Sequence, residues 1–176
     1  MILKSKIILA SRSPRRSELL KQAGITFDVV PADIEESLKD GENPEEYVKT
    51  LSMEKAYFIV EKYQYHDALI IGADTVVVIN GMILEKPESK SDAKRMLATL
   101  SDNTHTVFTG YTLYPGEELL YKNKKINLAN KTKGKLKIIS RVVKTDVLFK
   151  NLSREEIEWY INSDEPFDKA GAYAIQ

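Results

Sequence analysis

Ser11-Arg12-Ser13-Pro14-Arg15-Arg16 crowds two hydroxyls and three guanidinium groups into six residues. The short apolar run ending at Ala10 precedes it, so the segment reads as a strand feeding a helix, with Ser13 able to cap and Pro14 in the first helical position. Such a junction presents unpaired backbone N–H groups and the positive end of the helix dipole. Arginine forks match phosphate oxygens in pairs, so the segment suits a phosphate chain. The same residues would also serve a capped surface helix with solvated arginines. Gly72-Ala73-Asp74-Thr75 closes the apolar run Leu69-Ile70-Ile71. Carboxylates at strand ends border ligand crevices in open α/β sheets. Asp74 there can hold Mg²⁺, take a proton from water, or cap a turn.

Lys55 shares a helical face with Leu51 and Ile59, so it either snorkels or is aimed at a buried anion. Glu35 and Glu36 form an acidic pair able to supply metal ligands. Lys86, in Glu85-Lys86-Pro87, and Lys169, in the run Asp168 to Tyr173, are point charges for phosphate or loop lysines in water. His66 and His105 read as structural or surface residues. The chain contains neither a P-loop nor a glycine-rich dinucleotide fingerprint. Cations, hard acids and three loops at strand ends together suggest a polyphosphate with bound Mg²⁺.

These residues need elements to place them. Strands are expected at Lys6–Ala10, Phe27–Val30, Ala68–Gly72, Thr106–Leu113 and Val142–Phe149. Asn43-Pro44-Glu45-Glu46 opens a helix reaching about Tyr63, with Asn43 as its cap. Residues 75–84 read as a hairpin turning at Asn80-Gly81. A short helix covers Ser91–Leu100, and Ser153-Arg154-Glu155-Glu156 is a capping box opening another. Alternating helices and strands give α/β with a mixed sheet.

A hydrophobic fraction of 43% beside 30% charged residues is that of a globular chain, which argues against disorder. No cysteine is present and the two histidines lie far apart, which excludes disulfides and makes a zinc enzyme improbable. Nothing reaches membrane-span length, so no membrane association and a cytoplasmic location are expected. Formal net charge is zero, but residues 115–144 hold eight Lys and one Arg against two Glu, a local +7. That run is either a solvated loop or an electrostatic lure for polyanions. Its aromatic content does not extend beyond Tyr121, which ranks nucleic-acid binding low.

Leu9-Ala-Ser-Arg-Ser-Pro-Arg-Arg16 with Glu18-Leu-Leu resembles the N-terminal signature of Maf family proteins. Ile34-Glu-Glu36, Glu54-Lys-Ala56, Gly72-Ala-Asp-Thr75 and Leu84-Glu-Lys-Pro87 resemble further family motifs. So do Leu100-Ser101 with His105, and Ser163-Asp-Glu-Pro166 through Asp168-Lys-Ala-Gly-Ala-Tyr173 to Gln176. The resemblance covers 1–113 and 142–176 and treats 1–176 as a single domain. It implies an elongated mixed sheet flanked by helices, two lobes around a central nucleotide cleft, and often a homodimer. The implied activity is nucleoside triphosphate pyrophosphatase, giving a monophosphate and pyrophosphate with a divalent metal, Mg²⁺ or Mn²⁺. By resemblance, Asp74 matches the catalytic aspartate and, with Glu36, the metal site. Ser11, Arg16, Glu36, Lys55 and Lys86 match polar residues lining the cleft. Arg15, Thr75 and Gln176 match positions associated with choice of dTTP and UTP. The 7-methyl-GTP subgroup is less similar. An inosine or xanthosine triphosphate pyrophosphatase and a non-catalytic nucleotide-binding regulator of septum formation are the alternatives. Two departures stand out: an insertion at about 115–141, expected as a hairpin, and the absence after Gln176 of the family's glycine-rich strand pair and closing helix, expected as a truncation.

Overall fold

The computed structural model describes residues 6–38, 41–116, 119, 137–163 and 165–174. The element order is β1 (Lys6–Leu9), α1 (Pro14–Gln22), β2 (Asp28–Val29), α2 (Pro44–Tyr63), β3 (Ala68–Ile79), β4 (Met82–Leu84), α3 (Lys90–Leu100), β5 (Thr104–Pro115), β6 (Ile139–Leu148) and α4 (Arg154–Ile161). Two 3-10 turns, Pro166–Asp168 and Ala170–Ala172, follow. The strands form one six-stranded sheet in the order β2-β1-β3-β5-β6, with β4 pairing β3. β1 is parallel to β2 and to β3, in register Leu9↔Val29 and Leu9↔Ile71, whereas β3 and β4 are antiparallel. The sheet is therefore mixed: the crossover through helices makes β1 parallel to its neighbours, and the hairpin makes β3 and β4 antiparallel.

The expected strand at 68–72 and the first arm of the expected hairpin are one continuous strand, β3. Its turn is the expected one, with Asn80 at φ 50° and Gly81 at φ 76°. Both angles lie in the left-handed region that a two-residue hairpin turn demands. The capping box at Ser153 is complete: Ser153 Oγ accepts from the Glu156 N–H, and Glu156 Oε2 accepts from the Ser153 N–H. Asn43 Oδ1 accepts from the Glu45 N–H at 2.9 Å and opens α2. Ser13 does not cap α1 with its side chain; its N–H instead donates to Ser11 Oγ at 3.2 Å.

Contacts divide the chain into two compact units, with β3 and β5 each contributing to both. The first comprises the described residues within 1–42, 46–74 and 110–142. Its core gathers Ile8, Ala10, Ala56, Ile59, Val60, Ala68 and Ile70 between α2 and the sheet. The second comprises 43–45, 75–109 and the described residues of 143–176. Its core joins Val77, Ile79 and Leu84 to α3 and α4 through Met96, Leu97, Leu100, Ile157 and Ile161. The expected insertion falls largely outside the described residues.

Candidate active site

The first unit brings four sequence-separated segments to one place. β3 carries Asp74 just past the buried Ile70, and α2 carries Lys55 on the face it turns to the core. Lys55 Nζ lies 2.5 Å from Asp74 Oδ1 and 2.7 Å from Glu36 Oε1. Lys55 and Asp74 are each 7% exposed, while the Glu36 side chain reaches in from the 31–38 loop. Of the two readings left open for Lys55, the structure has it facing anions: the buried Asp74 carboxylate and the more exposed Glu36. Arg16, in the first turn of α1, donates through one nitrogen, Nη1, to Ser11 Oγ and to the Ala73 carbonyl, both at 2.9 Å. Ser11, itself 7% exposed, accepts from both Arg16 and the Ser13 N–H, which fixes the β1–α1 junction against β3. Arg15 follows Pro14 on the same helix turn.

Burial sets the electrostatics. It pushes the Asp74 carboxyl above the ordinary carboxylate range, with Lys55 pulling the other way. It lowers the Arg16 guanidinium, against the attraction of Asp74 and Glu36. The buried Lys55 and Asp74 keep their charges by facing one another, with Glu36 and Arg16 beside them at the more exposed side.

The other sequence-derived site residues fall in the second unit or outside the described residues. Thr75 belongs to the second unit, its hydroxyl 3.1 Å from that of Thr109. Lys86 is exposed in the same unit. Lys169 is only 5% exposed, and its ammonium is held 2.8 Å from both Glu165 Oε2 and Asp168 Oδ1, not in open water. Gln176 lies outside the described residues. His105 is buried and pairs with the Tyr173 hydroxyl, which agrees with a structural role. A run of hydroxyls, the buried Ser52 and Thr112 and the half-buried Ser140, each step 2.9 Å, joins α2, β5 and β6 in the first unit. Sequence reading missed it, because hydroxyls scattered over three elements leave no local pattern.

Among the described residues no three His, Cys, Asp or Glu side chains gather as a metal cage. Asp74 and Glu36 nevertheless fit a hard divalent ion, which takes carboxylate oxygens at few positions and leaves the remainder to phosphate and water. No described helix is long and apolar enough to cross a membrane.

Comparison with known proteins gives a consistent family. A dTTP/UTP pyrophosphatase of Syntrophus aciditrophicus is 43% identical over 175 residues, covering 99% of this chain and 76% of that protein. Those of Geotalea uraniireducens and Vibrio vulnificus are each 46% identical, over 98% and 97% of this chain and 79% and 81% of their own lengths. A nucleoside-triphosphatase / dITP/XTP pyrophosphatase structure from Mycobacterium abscessus is similar at TM-score 0.40 and 16% identity, over 80% of this chain and 70% of that one. The model of the Maf-like protein family matches residues 6–176, and the chain belongs to that family.

Proposed function

We propose that this protein is a nucleoside triphosphate pyrophosphatase that hydrolyses the α–β phosphoanhydride of dTTP and UTP. The observation that carries the reading is the buried Lys55 ammonium shared by Asp74 and Glu36, with Arg16 braced on the neighbouring Ala73 carbonyl. The relatives named for the same activity span nearly the whole chain, which supports the choice of pyrimidine triphosphates.

Asp74 is the proposed base. Its burial raises its proton affinity above that of a free carboxylate, which makes it better at drawing a proton from water near neutral pH. In the ligand-free protein Lys55 holds the Asp74 oxygen in place. Asp74 and Glu36 would hold Mg²⁺ or Mn²⁺, which when bound neutralises phosphate charge and polarises the reacting phosphoryl group. Ser11, Arg15 and Arg16 sit at the α1 N-terminus and are proposed to bind the phosphate chain, where positioning and charge neutralisation do most of the catalysis. Lys86 and Lys169 are proposed as further phosphate contacts. Thr75, Arg15 and Gln176 are proposed to choose the base, since an unmet hydrogen bond rejects a wrong substrate strongly. A cytoplasmic homodimer belongs to the same reading.

The test is pyrophosphate release from dTTP, UTP, CTP, ITP, XTP and 7-methyl-GTP, with and without Mg²⁺. Metal-dependent release fastest from dTTP and UTP is the expected result. A purine-first profile would replace the pyrimidine assignment, and tight nucleotide binding without release from any substrate would replace the enzyme with a binding protein.

A further inference from the structure

Asp74, Glu36, Lys55 and Arg16 place two acidic and two basic side chains in one small group of the first unit, with Lys55 and Asp74 buried, Arg16 half-buried and Glu36 at the exposed side. Lys55 is 7% exposed, and its ammonium is within hydrogen-bond distance of one oxygen from each acid. Arg16 adds a second cation, on the carbonyl of the residue before Asp74. Formal charges therefore cancel before any ligand arrives. A dication approaching this group alone meets no net attraction, and it meets an ammonium already seated between the two carboxylates.

From this arrangement we infer that Lys55 is an internal cation that bars the divalent metal from Asp74 and Glu36 until nucleotide is present; the inference rests on the pyrophosphatase reading of the site. A nucleoside triphosphate brings several negative charges of its own. Lys55 can then exchange its carboxylate partners for phosphate oxygens, releasing Asp74 and Glu36 to the metal that travels with the nucleotide. Lys55 is in this sense a positioning residue that sets the order of binding. It also keeps Asp74 paired and ordered in the ligand-free protein, where an unpaired buried carboxylate would be costly. Metal that cannot bind alone cannot hold water at the site without substrate.

The experiment is a titration with Mn²⁺ alone, followed by electron paramagnetic resonance of free Mn²⁺ and by calorimetry. Wild type, Lys55→Met and Lys55→Gln are compared, along with Lys55→Met/Asp74→Asn, with melting curves establishing that each is folded. Wild type should bind Mn²⁺ weakly unless nucleotide is added. Either single variant should bind one Mn²⁺ without nucleotide at least about ten-fold more tightly, because a repelling charge has gone and the two acids then face Arg16 as their one remaining cation of the four, a net negative charge. The double variant should lose that gain, which locates it at Asp74. Equal Mn²⁺ affinity in wild type and both single variants would overturn the inference, as would a gain that survives Asp74→Asn. Pyrophosphate release by wild type, measured on the same preparation, separates the two failures. Release with unchanged metal affinities removes only the role of Lys55, whereas no release from any nucleotide removes the pyrophosphatase reading.

Discussion

At the scale of single residues, two buried titratable groups make different predictions. Replacing Asp74 by Asn preserves size and removes the negative charge and the capacity to accept a proton. Turnover of dTTP should fall by about 10²- to 10⁴-fold, the usual cost of losing a general base, in a variant that circular dichroism shows to be folded. Turnover within a few-fold of wild type would remove Asp74 from the chemistry. His105 predicts a pH dependence of stability. It is 2% exposed, its ring meets Phe149 and Tyr173 edge-on, and among the described residues its Nδ1 has no partner. Burial lowers its proton affinity below the ordinary 6.5. The unfolded imidazole then takes up a proton as pH drops below about 6.5, while the folded one resists, so stability is lost as pH falls through that window. Melting temperatures between about pH 7.5 and pH 5.5 should decline more steeply in wild type than in His105→Asn. Parallel declines would show that His105 titrates alike in both states. Residue types alone revealed much of the candidate site: Asp74, Ser11, Arg16 and Glu36 were all singled out by chemistry and motif. What they could not reveal was pairing. Lys55 on an apolar face reads equally as snorkelling or as facing an anion, and only the long-range approach of Glu36 and Asp74 decides it.

At the scale of elements, the site depends on how closely α2 approaches the sheet. An ideal Cβ on Gly72 would lie 2.1 Å from the Ser52 carbonyl oxygen, and one on Gly110 would lie 2.2 Å from that of Val48. Two strands therefore meet the backbone of α2 directly, at points that allow no side chain. Ser52 precedes Lys55 by three residues and Gly72 precedes Asp74 by two, so this contact also sets the reach of the lysine. Gly110→Ala should force the helix outward and cost about 1–3 kcal/mol in urea unfolding, the range for overpacking a close-packed interior. An unchanged midpoint would mean the contact yields without strain. The helix itself was legible, because Asn43-Pro44 and the spacing of Val48, Leu51, Ile59 and Val60 are local signals. So was the Asn80-Gly81 hairpin. The continuity of β3 was not legible: Gly72 breaks the apolar pattern and looks like a strand end, though it serves as the point of helix contact. Likewise Ser13-Pro14 looks like a side-chain cap, but Ser11 takes the Ser13 N–H instead.

At the scale of the whole chain, charge is balanced overall but unevenly distributed. Residues 117–136 carry six Lys against two Glu, a net +4 within a chain whose formal charge is zero. Removing them leaves a protein of net −4 that must still attract a highly charged anion. Long-range steering acts on encounter, and ions screen it over roughly 10 Å at 0.1 M salt. None of these lysines is among the residues proposed above to act on the phosphates. A variant lacking 117–136 should therefore keep its kcat for dTTP and show a raised KM at low ionic strength. The difference from wild type should shrink as salt rises, because screening removes the field that the deletion removed. Steady-state kinetics at about 20 mM and about 300 mM salt make the comparison, ionic strengths that lie either side of the screening crossover. A KM ratio independent of salt would make the basic run a solvated surface segment with no part in capture. A fall in kcat would instead tie the segment to the integrity of the first unit, to which Leu119 contributes a buried side chain.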